Sequence, residues 1–199
     1  MINHEYKCIF VHVIKTGGAS IATALNMKED TGRNVTREEQ VPHYPKCHLS
    51  AKEIRKTVGE EIWNSYFKFS FVRNPYDKVV SQYHFNRGQW KLENASFKEY
   101  VNYWKNGGQI STFPQYHSHY LNEELDFIGR FENIQQDFNT ICNKIGIPLK
   151  KLPHINKSRN FARDKAKHKH YTEYYDEETK QIVAKKYAKD IEYFKYTFN

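Results

Sequence analysis

Cysteine is scarce in this chain. Cys8, Cys47 and Cys142 are odd in number and widely spaced, which excludes a disulfide framework and matches no zinc-ligand pattern, so a reducing compartment is expected. Long apolar runs are missing too: none approaches the roughly 20 residues needed to span a bilayer. The first of them, near Ile9 to Ile14, leads straight into a glycine turn, so no secretory signal is expected there. These absences point to a cytoplasmic protein with no stable membrane insertion. The sequence holds no repeat, low-complexity tract or linker, and 199 residues suit one domain, residues 1–199, better than two. Acidic residues are in deficit, 23 Asp and Glu against 31 Lys and Arg, for a formal charge of +8. That balance favours anionic partners, whether nucleotide phosphates, nucleic acid or acidic polysaccharide, without choosing among them.

Aromatic residues are abundant instead, with 15 Tyr and 13 Phe; such rings fill a core while the tyrosine hydroxyls still bond to polar groups. Strands and helices alternate along the chain. Lys7–Val13 is short, apolar and β-branched, and predicts a buried strand. Lys15–Gly18 form a turn and Ala19–Met27 a helix, followed by a polar stretch without periodicity, Lys28–Cys47. Ser50, with Glu53 at the capping-box position, opens a helix carrying Ile54 and Val58. Phe67–Val72 predicts a second strand, and Pro75 starts a helix containing Val79, Val80 and Tyr83. A further helix is expected around Phe97–Trp104, a third strand at Leu125–Phe131, and an amphipathic helix at Glu132–Ile145 stopped by Gly146 and Pro148. Asn156–His170 is a basic loop without glycine, and Thr179–Phe194 a helical region. Helices between strands imply parallel pairing, hence an α/β domain with a P-loop-like parallel sheet flanked by helices.

Two segments carry chemistry. In the first, a strand is followed by KTGGAS, Lys15 to Ser20, and then a helix. Two glycines let the backbone approach an anion, and the helix start turns amides and a positive dipole end toward it. Lys15 adds a mobile charge, Thr16 and Ser20 hydroxyl donors. The GxxxxGK[ST] pattern of a Walker A loop is absent, because the lysine precedes the glycines. An ordinary strand-to-helix turn with a surface lysine fits this segment as well. The second segment is FSFVRNPYDKVVSQYHF, Phe69 to Phe85. Arg73 lies at the carboxyl end of a strand, where open α/β sheets bind ligands. Its guanidinium suits a phosphate, and Ser81 sits within two turns of the next helix. Pairing of Arg73 with Asp77 is the competing reading.

Together the two segments resemble the paired nucleotide motifs of sulfotransferases that use 3′-phosphoadenosine 5′-phosphosulfate (PAPS), particularly the membrane-type carbohydrate branch. FVHVIKTGGAS is similar to that family's FVHIPKTGGTS, and VRNPYDKVVSQY to its VRNPYDRLVSAY. IGRFENIQQDF (Ile128–Phe138), PHINKS (Pro153–Ser158) and the ending YAKDIEYFKYTF extend the resemblance over nearly the whole chain. It implies that Lys15, Thr16, Gly17, Gly18, Ala19 and Ser20 hold the 5′-phosphosulfate, with Lys15 stabilising charge on the bridging oxygen as the sulfuryl group leaves. It implies equally that Arg73 and Ser81 bind the 3′-phosphate, and that Lys157, Ser158 and Arg159 close over the nucleotide. By the resemblance, PAP would be the product, the acceptor a hydroxyl of a carbohydrate, and no metal would be required. Ile14 in place of proline, and Ala19 in place of threonine or serine, depart from the family pattern.

Transfer to an alcohol needs a base. His48, in KCHLSAKEI, resembles in its local pattern the catalytic histidine of uronyl 2-O-sulfotransferases, and an imidazole titrates in the right range. Glu53 is the alternative. His12 is expected to pack on its strand. The pairs His117/His119 and His168/His170 lack a carboxylate or cysteine complement for a metal. Trp90, Trp104 and Tyr116 are candidates for sugar stacking or for core. Two rivals remain on the residues alone. A nucleotide kinase or other P-loop NTPase would need the missing GK[ST], and a non-catalytic basic PAP- or nucleic-acid-binding protein finds no helix-turn-helix, RRM or zinc-finger pattern to support nucleic acid.

Overall fold

The computed structural model describes residues 1–27, 48–86, 94–111, 114–155 and 169–199. The expected loop at Lys28–Cys47, Trp90, His168 and the trio Lys157, Ser158 and Arg159 therefore lie outside the described residues. The chain divides into two compact units, Met1–Val72 with Phe113–Ile155, and Arg73–Thr112 with Asn156–Asn199.

The first unit is built on a four-stranded sheet in the order β1 (Ile2–Asn3), β2 (Cys8–Val11), β3 (Phe67–Val72), β4 (Phe127–Arg130). The three main strands run parallel, with Phe10 opposite Phe69 and Phe69 opposite Phe127, as the alternation of strands with helices implied. β1 is an antiparallel edge of two residues, too short to leave a periodic signal. Successive side chains of a strand point to opposite faces, and here both faces are covered. Cys8 and Phe10 of β2 join Ile21 and Leu25 of α1 (Gly18–Ala24, with its cap) and Phe138, Ile141 and Cys142 of α7 (Ile134–Lys144). Ile9 and Val11 face Ala51 and Ile54 of α2 (Ala51–Val58), Trp63 of α3 (Glu60–Ser65) and Tyr120 of α6 (His117–Tyr120). Two-sided burial explains why β2 is apolar at every position instead of alternating.

The boundaries differ from the sequence expectation in readable ways. α1 ends at Ala24, short of Met27, because Asn26 takes a left-handed turn (φ 51°) and the Met27 amide returns to the Ala22 carbonyl. The third strand yields at Phe131 to a 3-10 turn, Phe131–Asn133, that leads into α7. α3 and α6, of six and four residues, are too short for periodicity to reveal.

The second unit is helical: α4 (Pro75–Asn86), α5 (Phe97–Lys105), a 3-10 turn at Tyr171–Tyr174, α8 (Glu177–Lys186) and α9 (Ala188–Phe194). The expected single helical region Thr179–Phe194 breaks at Tyr187, a buried residue that leaves helical geometry (φ −105°, ψ 18°). Aromatic rings make the core, with Tyr76, Tyr83, Phe97, Tyr100 and Trp104 around Val79, Val80, Val101 and Val183. Their hydroxyls find partners. Tyr83 donates to the Ala95 carbonyl and Tyr175 to that of Tyr76, each at 2.8 Å, while the Asn86 amide donates to Tyr100 at 3.0 Å. Trp104 is thus core, whereas Tyr116, in the other unit, is exposed.

α4 also buries Lys78 completely, and this desolvation brings its pKa down to about 7 although the Asp190 carboxylate nearby raises it. At pH 6 the ammonium is charged, and Asp190→Ala is expected to cost roughly 3–5 kcal/mol in urea denaturation. In a Lys78→Met background the same change should cost much less, and equal costs in both backgrounds would mean that the two charges are not coupled.

Candidate active site

The loop after β2 is shaped by its backbone. Lys15 (φ 63°) and Gly17 (φ 83°) both take left-handed conformations, and α1 begins at Gly18. Gly17 is required by that angle and by space, since a Cβ there would stand 2.5 Å from Ile134 Cδ1. Gly18 is required by a neighbouring ring: its Cβ would stand 1.9 Å from Nε2 of His12. Gly17, as the residue before α1, provides no side-chain cap. α2, α5 and α8, by contrast, are closed by capping boxes at Ser50/Glu53, Ser96/Glu99 and Asp176/Thr179. The Ser20 amide returns to the Gly17 carbonyl at 3.1 Å, and the amides ahead of it receive no side-chain cap.

The hydroxyl of Thr16 does not point outward as the sequence suggested. Thr16 is fully buried and donates to the Val13 carbonyl at 2.8 Å, tying the loop to itself. Ser20 Oγ accepts the Ile155 amide at 3.4 Å, and Lys15, Gly17, Ala19 and Ser20 are partly exposed. Ile14, where the family pattern has proline, is buried among Ile9, Val11 and Ile54, so this departure serves the core.

His48 comes to the same place from the other side of the chain's first undescribed stretch, two residues ahead of the α2 cap. Its ring centroid lies 4.3 Å from that of His12, and Nδ1 is 3.2 Å from the His12 carbonyl oxygen. A carbonyl only accepts, so Nδ1 carries the proton and the lone pair of the neutral ring is on Nε2. Burial lowers the pKa of His48 below its ordinary 6.5, partly opposed by that hydrogen bond. Burial lowers His12 much further, and the His48 charge adds to the effect. Both rings are therefore neutral near pH 7.

Glu53 occupies a different role. Its carboxylate accepts the Ser50 amide and hydroxyl, each at 2.7 Å, and the hydroxyl bond holds its pKa below the usual value. A carboxylate engaged in a cap and made less basic is a poor proton acceptor. In the second unit, Arg73 grips Asp77 through Nε and Nη2, both at 2.8 Å, as the competing sequence reading anticipated. Ser81 follows on α4, nearly buried. Sequence reasoning treated His12 as packing alone; the signal it left was a histidine directly between the strand and the glycine loop.

A parallel sheet covered on both faces, whose first main strand runs through paired glycines into a helix, defines an α/β protein with a strand–glycine–helix loop. The sulfotransferase family profile matches residues 1–197. The chain belongs to that family, whose members are PAPS-dependent enzymes. An uncharacterized protein of Archaeoglobus fulgidus is 39% identical over 103 residues, covering 50% of this chain and 84% of that protein. Carbohydrate sulfotransferase 14 of Danio rerio is 22% identical over 182 residues, covering 74% of this chain. The matched region is 48% of that relative's length.

Two outcomes follow from the packing around His12. Gly18→Ala should lower the melting temperature by several degrees, and adding His12→Ala should recover part of that loss. A double-mutant cycle on unfolding would give a coupling of about 1 kcal/mol or more, and strict additivity would remove the steric explanation. Because the folded pKa of His12 is depressed, the unfolded chain alone takes up this proton as pH falls below 6.5. Stability is expected to be retained above that value and to decline below it, read as melting temperature between pH 7.5 and 5.5.

Proposed function

We propose that this chain transfers a sulfuryl group from PAPS to a hydroxyl on a carbohydrate, using the whole of residues 1–199 as one sulfotransferase domain. The observation that carries the mechanism is His48 Nδ1 bonded to the His12 carbonyl, beside the glycine loop that the family uses for its donor. The carbohydrate acceptor draws its support from the similarity to carbohydrate sulfotransferase 14 of Danio rerio. The pattern around His48 keeps the uronyl 2-O-type histidine as the nearest analogue.

In this reading Lys15 to Ser20 hold the 5′-phosphosulfate, Thr16 through its backbone. Arg73 and Ser81 take the 3′-phosphate, with Asp77 fixing the guanidinium for that task. Lys157, Ser158 and Arg159 are assigned to the nucleotide by motif alone. The acceptor O–H proton passes to Nε2 of His48 as the oxygen bonds to sulfur, and the S–O bond to the phosphate breaks. Charge developing on that leaving oxygen is balanced by Lys15 and by the amides at the start of α1. None of these steps asks for a metal.

PAP should raise the melting temperature far more than ADP or AMP, with or without EDTA. Equal stabilisation by ATP with Mg²⁺ would favour a kinase instead. Arg73→Ala should weaken PAP by roughly 1.5–3 kcal/mol and leave adenosine 5′-phosphosulfate, which has no 3′-phosphate, nearly unaffected. With PAPS saturating and a panel of sugars, glycolipids and small alcohols as acceptors, His48→Ala should slow single-turnover transfer by roughly 10²- to 10⁴-fold without loss of PAP affinity. The acid limb of the wild-type profile should lie below pH 6.5, because burial lowers the His48 pKa. His48→Gln should remove it. Full activity in His48→Ala together with a dead Glu53→Gln would move the base to Glu53.

A further inference from the structure

We propose that His12 is a positioning residue: it sets the tautomer and plane of the His48 ring and ties that ring to the first helical residue of the glycine loop. The inference rests on His48 being the base. Two different parts of His12 reach the same neighbour. The main-chain carbonyl accepts from His48 Nδ1 at 3.2 Å, and the imidazole ring covers the His48 ring at 4.3 Å between centroids, tilted by 44°. The His12 ring is itself held. Phe10 stacks on it at 5.3 Å and 19°, and Gly18 leaves it room by having no Cβ. A displacement of α1 therefore pushes on the His12 ring, and through it on His48. Donor loop and base are linked by one side chain in van der Waals contact with both.

The ring acts by shape. Its Nδ1 is buried and makes no hydrogen bond among the described residues, so no ring hydrogen bond from that nitrogen is available to orient His48. Among the described residues, the His48 charge and the chain's amino group act on the His12 ring, and the amino group, which donates to the Phe10 carbonyl, acts on the His48 ring as well. Glu53 stays in its cap. A flat, neutral ring at position 12 keeps water from one face of His48, while the carbonyl keeps the proton on Nδ1.

The test compares the full-length wild type with His12→Ala and His12→Phe, reading His48 by ¹⁵N and ¹³C NMR titration. In the wild type and in His12→Phe, His48 should show one neutral tautomer, protonated at Nδ1, and the same depressed pKa. In His12→Ala the pKa should rise by roughly half a unit to one unit as water reaches the ring, while the main-chain carbonyl of residue 12, which the substitution keeps, still holds the proton on Nδ1. Single-turnover transfer near pH 6.5 should fall about tenfold while PAP affinity changes less than about threefold. If His12→Ala does not fold, His12→Leu, which fills the space without a flat ring, replaces it in the comparison. An unchanged His48 pKa in His12→Ala would overturn the proposal, as would a His12→Phe protein as disturbed as His12→Ala. The NMR readout does not depend on turnover. An active His48→Ala would remove the base assignment while leaving the positioning of the ring to be judged on its own spectrum.

Discussion

The pairing of β2 with β3 is the constraint on which the rest of the first unit depends. Phe10 and Phe69 lie opposite each other in the parallel register, and their rings stack 5.0 Å apart. That contact aligns the two strands so that their carboxyl ends emerge at the same edge of the sheet. Val11 is followed by His12 and the glycine loop, and Val72 by Arg73. Slipping the register by one residue would turn Phe10 and Phe69 to the wrong face and undo both helical layers at once. The seal of Ser70 Oγ on the Val11 carbonyl, at 2.6 Å, fixes the last step of this alignment from the opposite face.

Two imidazoles lie together beside the glycine loop. Burial lowers the pKa of both, and more strongly for His12 than for His48. As pH falls, the more exposed ring is therefore protonated first. Glu53, the nearest acidic alternative, is withdrawn from that chemistry by the Ser50 amide and hydroxyl that it accepts.

A good part of this was legible beforehand. The strand–glycine–helix order, the capping box at Ser50, the strand ending at Val72 and the helix starting at Pro75 all stand where the pattern put them. These features are local: each is specified within a few residues by backbone conformation, capping or period. Some misplaced boundaries were decided by burial in the fold and others by the backbone itself. Tyr187 interrupts the C-terminal helices as it sinks into the aromatic core, β1 forms where Ile2 meets Ile9 across the sheet, and α1 stops where Asn26 turns left-handed. Thr16 departs locally too, its hydroxyl turning inward to the Val13 carbonyl.

The amino-acid sequence alone carried the α/β class and the resemblance to the family, because motif spacing and hydrophobic period are written along the chain. It placed two glycines at the turn, while the left-handed angle of Gly17 and its closeness to Ile134 belong to the fold. Tertiary structure alone decided why Gly18 must be glycine and which nitrogen of His48 carries the proton. Those depend on a ring and a carbonyl of His12, 36 residues away from His48, and contacts across such separations are set by packing, which no local pattern encodes.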